Sequence, residues 1–269
     1  MSDGDPPGTP VPAPITLYNY AASPYGARVY WTLVFKRLPF RMVYVNPFTR
    51  REIGFSKQRV VPVLRVGDAW RQDSTPICTW LEELCPSPPV LGADAGERER
   101  ILAIDRWVSE RFIALSFRHH VDSGGRIVEW LRNGQRMGAV NHETCRGFPR
   151  PVVWVWPLLL RNAAFVRKGA RHHARHATLR EANAAVREEL LRQVAAGPFL
   201  GGLSEPSLAD LAAYGQLVKL HAAGLEGYPD FAADPPVAAW IRRLESRLPV
   251  APEPPLVPGR SLRLLPASA

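Results

Sequence analysis

Cysteine and long apolar runs are scarce in this 269-residue chain. Three scattered cysteines (Cys78, Cys85 and Cys145) are too few for a disulfide framework, and so few are typical of a reducing compartment. We therefore expect a cytoplasmic protein. The longest apolar run, residues 152–160, is far shorter than the roughly 20 residues that span a bilayer, and Pro157 interrupts it. We therefore expect no membrane partner.

Targeting features are also missing from the first 14 residues. They contain five prolines and two aspartates, but neither the basic stretch nor the apolar core of a signal peptide. Because this segment has so little apolar surface, we expect residues 1–14 to be a disordered tail. The proline-rich residues 249–269 are expected to form a second tail.

Acidic residues are outnumbered, with 25 Asp and Glu against 34 Lys and Arg, which gives a net charge of +9 and a pI near 9.9. Such a charge is compatible with nucleic-acid binding. However, the cations are arginines spread along helical stretches, without zinc-finger spacing or the aromatic-basic signature of an RNA-binding sheet. We therefore expect no nucleic-acid partner.

A strand, a tight loop and a helix start follow one another in residues 15–37. Residues 15–19 alternate apolar and polar side chains, the period of a half-buried strand. Ser23 is a good N-cap, Pro24 suits the first helical position, and a helix is predicted over residues 25–37. Free N–H groups and the helix dipole both favour an anion at Ser23. The stretch therefore predicts an anion site.

A second strand is predicted over residues 40–45, parallel to the first because a helix connects the two. Residues 46–59 show no firm period and are predicted to form a loop with a short irregular helix. Lys57 and Arg59 lie near its end. They form either a solvated basic loop or contacts to a ligand.

Two further motifs follow in the same half of the chain. A proline is excluded from the middle of a central strand, so Pro62 in Val60–Leu64 is predicted to begin one. Gly67-Asp68 is a two-residue turn signal, which predicts a hairpin over residues 63–71. Asp73-Ser74 then precedes a helical apolar pattern, and Ser74 is either a plain cap or a ligand contact.

Residues 86–96 look like a linker, and helices are predicted from residue 97 onward, including 97–118, 178–196 and 237–248. The Ser207–Asp210 pattern predicts a capping box at a helix start. Asp210 is therefore interpreted as a structural residue, whose replacement by alanine should cost roughly 0.5–2 kcal/mol.

Residues 119–177 are an atypical segment. The five glycines in residues 119–150 favour a loop-rich insertion or a broken pair of helices there. Trp154, Trp156 and Phe165 either line a hydrophobic pocket or form a core helix face. His172 and His176 have the spacing of a metal pair, but no third ligand lies nearby in the sequence, so a solvated basic face is favoured.

Residues Ser23-Pro24-Tyr25-Gly26 resemble the Cys-Pro-Tyr-Cys of glutaredoxins, with serine and glycine in place of the thiols. Pro62 and the acidic-serine pair at residues 73–74 follow this motif in the order found in cytosolic-type glutathione transferases. With these three motifs, the chain resembles that family. The resemblance implies a thioredoxin-like α/β domain at residues 15–86 and an all-α domain at 97–248.

The resemblance also implies a function, namely conjugation of glutathione, as co-substrate, to a small hydrophobic electrophile by a homodimer. Ser23 stands at the family's position for stabilising the thiolate, with Tyr18, Tyr20 and Tyr25 as rival donors. The proline before the third strand is cis in such folds, which leaves the neighbouring backbone open to a peptide ligand. The residues expected to bind glutathione are Val61, Pro62, Asp73, Ser74, Lys57 and Arg59.

Two alternatives remain open at this point. The first is a non-catalytic glutathione-binding or scaffold protein on the same fold, since fold does not fix function. The second is a thiol-disulfide enzyme. It would need cysteines where Ser23 and Gly26 stand, unless Cys78 or Cys145 acted instead.

Overall fold

The first third of the chain forms a four-stranded sheet with helices, in a computed structural model that describes residues 13–57, 59–250 and 252–265. The expected tail at residues 1–14 lies almost entirely outside these ranges. The sheet order is β2-β1-β3-β4, with β1 and β2 parallel and the other pairs antiparallel. The parallel pair and the 67–68 hairpin are confirmed. The elements are β1 (Ile15–Asn19), α1 (Pro24–Phe35), β2 (Phe40–Tyr44), β3 (Val63–Val66), β4 (Ala69–Gln72) and α2 (Ser74–Leu84).

Helices make up the regular structure that follows α2. A π-helical stretch, Val108–Ile113, joins two of them into one long rod. These helices are α3 (Ala95–Trp107), α4 (Ala114–Val121), α5 (Ile127–Thr144), α6 (Val152–Asn162), α7 (Ala164–Ala170), α8 (Leu179–Ala195), α9 (Leu208–Ala222) and α10 (Pro235–Glu245). The architecture is a thioredoxin-like α/β domain followed by a helical domain, which confirms the predicted fold class.

Helix α1 is buried on nearly all sides because α9 and α2 pack against it and its Tyr30 ring meets the ring of Phe40 on β2 at 5.7 Å between centroids. The indole ring of Trp31 meets the ring of Tyr214 edge-on, at 4.9 Å between centroids. Gly215 of α9 lies against Ala27, where a Cβ would come within 3.2 Å of the α1 backbone. This contact fixes the helix that begins at Ser23 against the core of the helical domain.

The α5–α6 pair corrects the expectation of a loop-rich or broken segment. Helix α5 is continuous over 18 residues, and two of its glycines lie against α6. A Cβ at Gly134 would lie 2.5 Å from Pro157, and one at Gly138 would lie 3.0 Å from Trp156. The glycines therefore allow two helices to approach closely and do not break either one.

Trp154, Trp156 and Phe165 do not line a common pocket. Trp156 is buried, with its ring 5.2 Å from Phe148 and 6.0 Å from Phe48 between centroids. Trp154 is 70% exposed and Phe165 is 62% exposed. Of these three residues, only Trp156 therefore belongs to a core helix face.

Residues 252–265, expected as part of a proline-rich tail, have no helix or strand but are packed against the protein. Leu256 and Val257 are buried in the main core. The hydroxyl of Tyr44 donates to the carbonyl of Pro255 at 2.9 Å, and that of Tyr214 donates to the carbonyl of Leu262 at 3.1 Å. This segment therefore spans both parts of the fold.

A buried lysine lies in α9 without an acidic partner among the described residues. The Nζ of Lys219 donates to the Ser116 hydroxyl at 3.2 Å, and Gln216 donates to the same oxygen at 2.6 Å. Burial lowers the pKa of Lys219 to about 7. The pKa of the neighbouring His120 is lowered to about 3, first by burial and then by Lys219.

Replacing Lys219 by methionine is expected to stabilise the protein at pH 7 by about 2–4 kcal/mol. Between pH 7 and 10.5 the unfolded chain holds a proton that the folded chain lacks, so wild-type stability rises with pH in this window. The gain from methionine should therefore shrink as pH rises. Urea unfolding at pH 7 and pH 9 measures it, with the exposed Lys168→Met as control. An equal gain in unfolding free energy at both pH values would contradict the lowered pKa of Lys219.

Candidate functional site

Ser23 caps α1 and keeps its hydroxyl hydrogen available. Its backbone is extended (φ −81°, ψ 119°), and its Oγ accepts the Gly26 N–H at 3.2 Å. Accepting this bond uses a lone pair of the oxygen, so the O–H can still donate to another group. The side chain is partly exposed. A half-open hydroxyl at a helix N-terminus is therefore available to an anion.

Gly26 stands where a glutaredoxin has its second thiol, and only glycine fits there. A Cβ would lie 1.8 Å from the Asn19 Oδ1, and the Asn19 side chain is fully buried. The cysteines are buried elsewhere, and burial raises the pKa of Cys78 to about 12 and also raises that of Cys145. The thiol-disulfide alternative therefore lacks an accessible, ionisable thiol.

The start of α2 is left without a side-chain cap. Asp73 is the N-cap residue, has a left-handed φ of 68°, makes no capping hydrogen bond and is exposed. Ser74 is the first helical residue, so the interpretation of Ser74 as a plain cap is wrong. The N–H groups of Ser74 and Thr75 meet no backbone acceptor in the part of the chain that the structure describes. These donors and the dipole of α2 are available to a carboxylate.

Arg28 connects this helix start to α1. Its guanidinium donates to the Ser74 Oγ at 3.0 Å, the Thr75 Oγ1 at 2.8 Å and the Ser109 Oγ at 2.6 Å. Its Nε lies 3.1 Å from the Asp105 Oδ1, and both side chains are almost fully buried. These contacts link Arg28 on α1 to Ser74 and Thr75 in the first turn of α2, and the Thr75 hydroxyl also donates to the Asp105 Oδ2 at 2.7 Å.

Arg28 is a site residue that we did not predict, although the sequence contains a signal for it. Arg28 is the one charged residue between Ser23 and Phe35, in an otherwise apolar helix. A buried charge requires a partner. Asp105, which follows the apolar Ile104 in the predicted helix 97–118, was a possible partner, but nothing local indicated that residues 77 positions apart would meet.

Tyr25 is the tyrosine that stays close to Ser23. Burial raises the pKa of Tyr25, while Arg28 lowers it and the carboxylates of Asp73 and Glu110 raise it, so these charges lie within electrostatic reach. The Arg28 guanidinium lies 6.0 Å from the centre of the Tyr25 ring. Asp73, at the start of α2, therefore acts electrostatically on the pKa of Tyr25 in the first turn of α1.

The other two rival donors are engaged differently. Burial raises the pKa of Tyr20, and the nearby Arg50 guanidinium opposes this rise. The ring of Tyr18, a residue of β1, packs 5.2 Å between centroids from the ring of Phe55. Tyr25 therefore remains the main rival of Ser23.

The Val61–Pro62 peptide bond is cis, which confirms that expectation, and β3 begins directly after it. The N–H and C=O of Val61 have no backbone partner among the residues described. Lys57 and Arg59 are exposed beyond the 3₁₀ turn Arg51–Ser56. Within the described ranges, no contact joins these two cations to Ser23.

The histidines form a different pair from the one considered in the sequence. His173 and His176 lie 3.2 Å apart between Nδ1 atoms, and His173 is buried against the carbonyl of Arg111 at 2.8 Å, whereas His172 is exposed. Over residues 13–57, 59–250 and 252–265, no three His, Cys, Asp or Glu side chains are grouped to hold a metal. In the same ranges no helix is long and apolar enough to cross a membrane.

The sheet topology and the helices that follow it define a two-domain fold, a thioredoxin-like α/β domain followed by an all-α domain. Residues 17–89 match the family profile "Glutathione S-transferase, N-terminal domain", and residues 169–243 match "Glutathione S-transferase, C-terminal domain". The two matches together cover more than half of the chain. The chain belongs to the glutathione S-transferase family.

Individual relatives agree with this assignment. The chain is 26% identical over 285 aligned positions to prostaglandin E synthase 2 of Mus musculus, covering 88% of this chain and 71% of that protein. It is 30% identical over 132 positions to maleylpyruvate isomerase of a Ralstonia species, covering 46% of this chain and 59% of that protein. A glutathione S-transferase structure from Rhodospirillum rubrum F11 has a TM-score of 0.57, at 21% identity over 86% of this chain and 88% of that chain. This last likeness shows the fold alone.

Proposed function

We propose that the protein is a glutathione transferase that conjugates the glutathione thiolate to a small hydrophobic electrophile. One observation carries this proposal. Two helix N-termini, at Ser23 and at Asp73-Ser74, present free donors, and the buried Arg28 of α1 donates to Ser74 at the start of α2. Two positive helix ends linked in this way suit a ligand with an anionic sulfur and a carboxylate.

The γ-glutamyl end of glutathione fits the start of α2. Its α-carboxylate would accept from the free N–H groups of Ser74 and Thr75, and its ammonium would pair with the exposed Asp73 carboxylate. Asp73 reaches one methylene less far than the glutamate that is commoner in the family. The unpaired backbone of Val61, next to Pro62, would bind the peptide as an added strand does, with Lys57 and Arg59 at the margin of the site.

The thiolate belongs at Ser23. A free thiol has a pKa near 8.5, and lowering it by two units requires roughly 2.7 kcal/mol. A hydrogen bond from a hydroxyl to an anion supplies about 1.5–3 kcal/mol, and a helix N-terminus supplies about 0.3–1 kcal/mol. Ser23 with α1 can therefore ionise the thiol without a cofactor.

An aromatic row beside Ser23 suits a hydrophobic co-substrate. The ring of Tyr25 lies 6.3 Å from that of Phe117, which lies 6.0 Å from that of Phe165. The row leads from the first turn of α1 to α7. A planar or apolar electrophile would pack along it.

Asp73→Asn is expected to weaken glutathione binding by about tenfold or more, because the amide cannot pair with the ligand ammonium. The change keeps the shape of the side chain, and asparagine tolerates a left-handed φ. Isothermal titration calorimetry measures the affinity. Asp68→Asn, at the exposed hairpin turn, is the matched control. Wild-type affinity in a folded Asp73→Asn variant would contradict the ligand assignment.

A non-catalytic glutathione-binding scaffold is the alternative function. The α5–α6 pair favours it, because the loop after α5 is attached to the end of β2. The Cys145 thiol donates to the carbonyl of Val45 at 3.2 Å, and the Asn46 amide donates to the carbonyl of Arg146 at 3.2 Å. Such a fixed extra surface could serve a partner without any chemistry at Ser23.

The protein is further proposed to act in the cytoplasm as a homodimer, since transferases of this family pair the first domain of one subunit with the helical domain of the other. Multi-angle light scattering should give a mass twice the 29.9 kDa of one chain. A mass equal to a single chain across micromolar concentrations would contradict the dimer.

A further inference from the structure

The exposed side of α6 is apolar. Trp154 and Val155, and then Leu158 and Leu159 one turn later, are exposed by 70, 47, 52 and 43%, while the opposite side of the helix packs against α5. We call these four residues the α6 apolar face. A soluble protein rarely leaves such a contiguous stripe uncovered, and large exposed apolar patches mark interaction surfaces.

The chain segment that contains this face is one-sided in charge. Residues 144–180 hold eight of the 34 Lys and Arg residues and none of the 25 Asp and Glu residues. The rest of the chain is therefore nearly neutral, and the net charge of +9 is concentrated here. Arg161 ends the apolar stripe on α6, and the exposed Arg167, Lys168 and Arg171 follow on and after α7.

These cations are not neutralised within the protein. Among the described residues, none of the eight forms an ion pair with a carboxylate, and Arg161 packs its guanidinium 5.8 Å from the centre of the Trp130 ring. An unpaired basic segment beside an apolar stripe attracts a surface that is itself anionic.

We propose that the α6 apolar face and its flanking cations dock the protein reversibly on an anionic lipid bilayer. Tryptophan and leucine on one side of a helix, with arginine and lysine beside them, are the composition of helices that lie in the membrane interface. The apolar side chains enter the boundary between headgroups and acyl chains, while the cations pair with lipid phosphates and carboxylates. This is peripheral docking, which requires no membrane-spanning helix. It departs from the expectation, drawn from the sequence, of no membrane partner.

Two other occupants fit the surface less well. A second copy of the chain would bring two carboxylate-free basic segments together, and their repulsion opposes association. A nucleic acid would match the cations, but the aliphatic side chains of Val155, Leu158 and Leu159 have no polar group with which to bind it. A lipid bilayer satisfies the apolar and the basic parts together.

Cosedimentation of the full chain with vesicles tests the proposal. We expect binding to vesicles of phosphatidylcholine with roughly 30% phosphatidylserine that is at least about tenfold tighter than to phosphatidylcholine alone, and that weakens in high salt. Trp154→Gln with Leu158→Gln should reduce binding at least about tenfold without any change of net charge. Arg167→Gln with Lys168→Gln should reduce it about tenfold or more, whereas Arg98→Gln with Arg100→Gln, an equal loss of charge at exposed positions of α3, should not.

All the substituted side chains are exposed, so thermal unfolding by circular dichroism should be close to wild type for each variant. Absence of binding to anionic vesicles would overturn the proposal, as would vesicle binding that Trp154→Gln with Leu158→Gln leaves intact. A dimer that dissociates into single chains in this double variant would identify a second copy as the occupant. Duplex DNA that displaces the protein from vesicles, and binds the double variant as tightly as wild type, would identify a nucleic-acid surface instead.

Discussion

Replacing Ser23 by glycine is expected to lower the turnover of glutathione conjugation by about one to two orders of magnitude. This loss corresponds to the roughly 1.5–3 kcal/mol of a hydrogen bond to an anion. Affinity for glutathione should change little, because the contacts at Asp73, Ser74 and Val61 remain. Steady-state kinetics with a chromogenic aromatic electrophile separates kcat from KM.

Glycine is preferred to alanine at this position because Ser23 also caps α1. Glycine at an N-cap costs only a few tenths of a kcal/mol, whereas alanine costs about 1 kcal/mol and would mix stability with chemistry. Thr178→Gly is a matched control, since Thr178 caps α8 by accepting the Glu181 N–H at 3.2 Å, outside the candidate site. Wild-type turnover in Ser23→Gly would transfer the role to Tyr25 or to the backbone.

Ser23→Cys is the complementary substitution. It places a thiol at a helix N-terminus, where the thiol pKa should fall below its usual range. The variant should form a mixed disulfide with oxidised glutathione, in which the introduced thiolate attacks one sulfur and reduced glutathione leaves. Mass spectrometry of the intact protein detects the adduct. No adduct at neutral pH would indicate that the α1 N-terminus does not stabilise an anion.

Asp210→Ala is expected to destabilise the protein by about 3–5 kcal/mol, more than the loss of a cap that the sequence predicts. The predicted capping box with Ser207 is confirmed, and the carboxylate of Asp210 accepts from the Ser207 N–H and hydroxyl, the Leu200 N–H at 2.9 Å and the Trp240 indole at 2.8 Å. All these donors are buried. Alanine would leave these donors without a partner. Burial raises the pKa of the Asp210 carboxyl, which shows how little solvent reaches this group.

Urea unfolding measures this loss, with Thr178→Ala as the reference for an ordinary exposed cap. The folded fraction of Asp210→Ala should still bind glutathione with wild-type affinity, because the residue lies in the helical domain and contacts no candidate ligand group. A loss no larger than that of Thr178→Ala would show that the cap alone matters. Lost glutathione binding at full stability would make Asp210 part of the site.

Local patterns predicted the parts of the fold that depend on neighbouring residues. The alternation in residues 15–19, the Ser23 cap, the Gly67-Asp68 turn and the Ser207 box each specify a backbone conformation within a few residues. Their physical causes are short-range sterics and hydrogen bonds, which the sequence states directly.

Contacts between distant residues could not be predicted in this way. Arg28 meets Asp105 because α1 and α3 both pack against α9, and nothing in either helix alone indicates the partner. The glycines of α5 resemble helix breakers until α6 is placed against them. Serine is a common N-cap residue, which is why a cap was one interpretation of Ser74. The Ser74 hydroxyl oxygen accepts instead from the Arg28 guanidinium, and the backbone N–H groups at the start of α2 stay free.

The central claim is that Ser23 and the start of α1 hold glutathione as a thiolate. Ultraviolet difference titration of the bound thiol, in wild type and in Ser23→Gly, tests it most directly. We expect a bound thiol pKa about two units below the free value in wild type, and a bound thiol pKa about one to two units higher than that in the variant. Identical titration curves would remove Ser23 from the mechanism. If bound glutathione shows no thiolate at pH values below the pKa of the free thiol, this result would contradict the transferase function and favour the scaffold function.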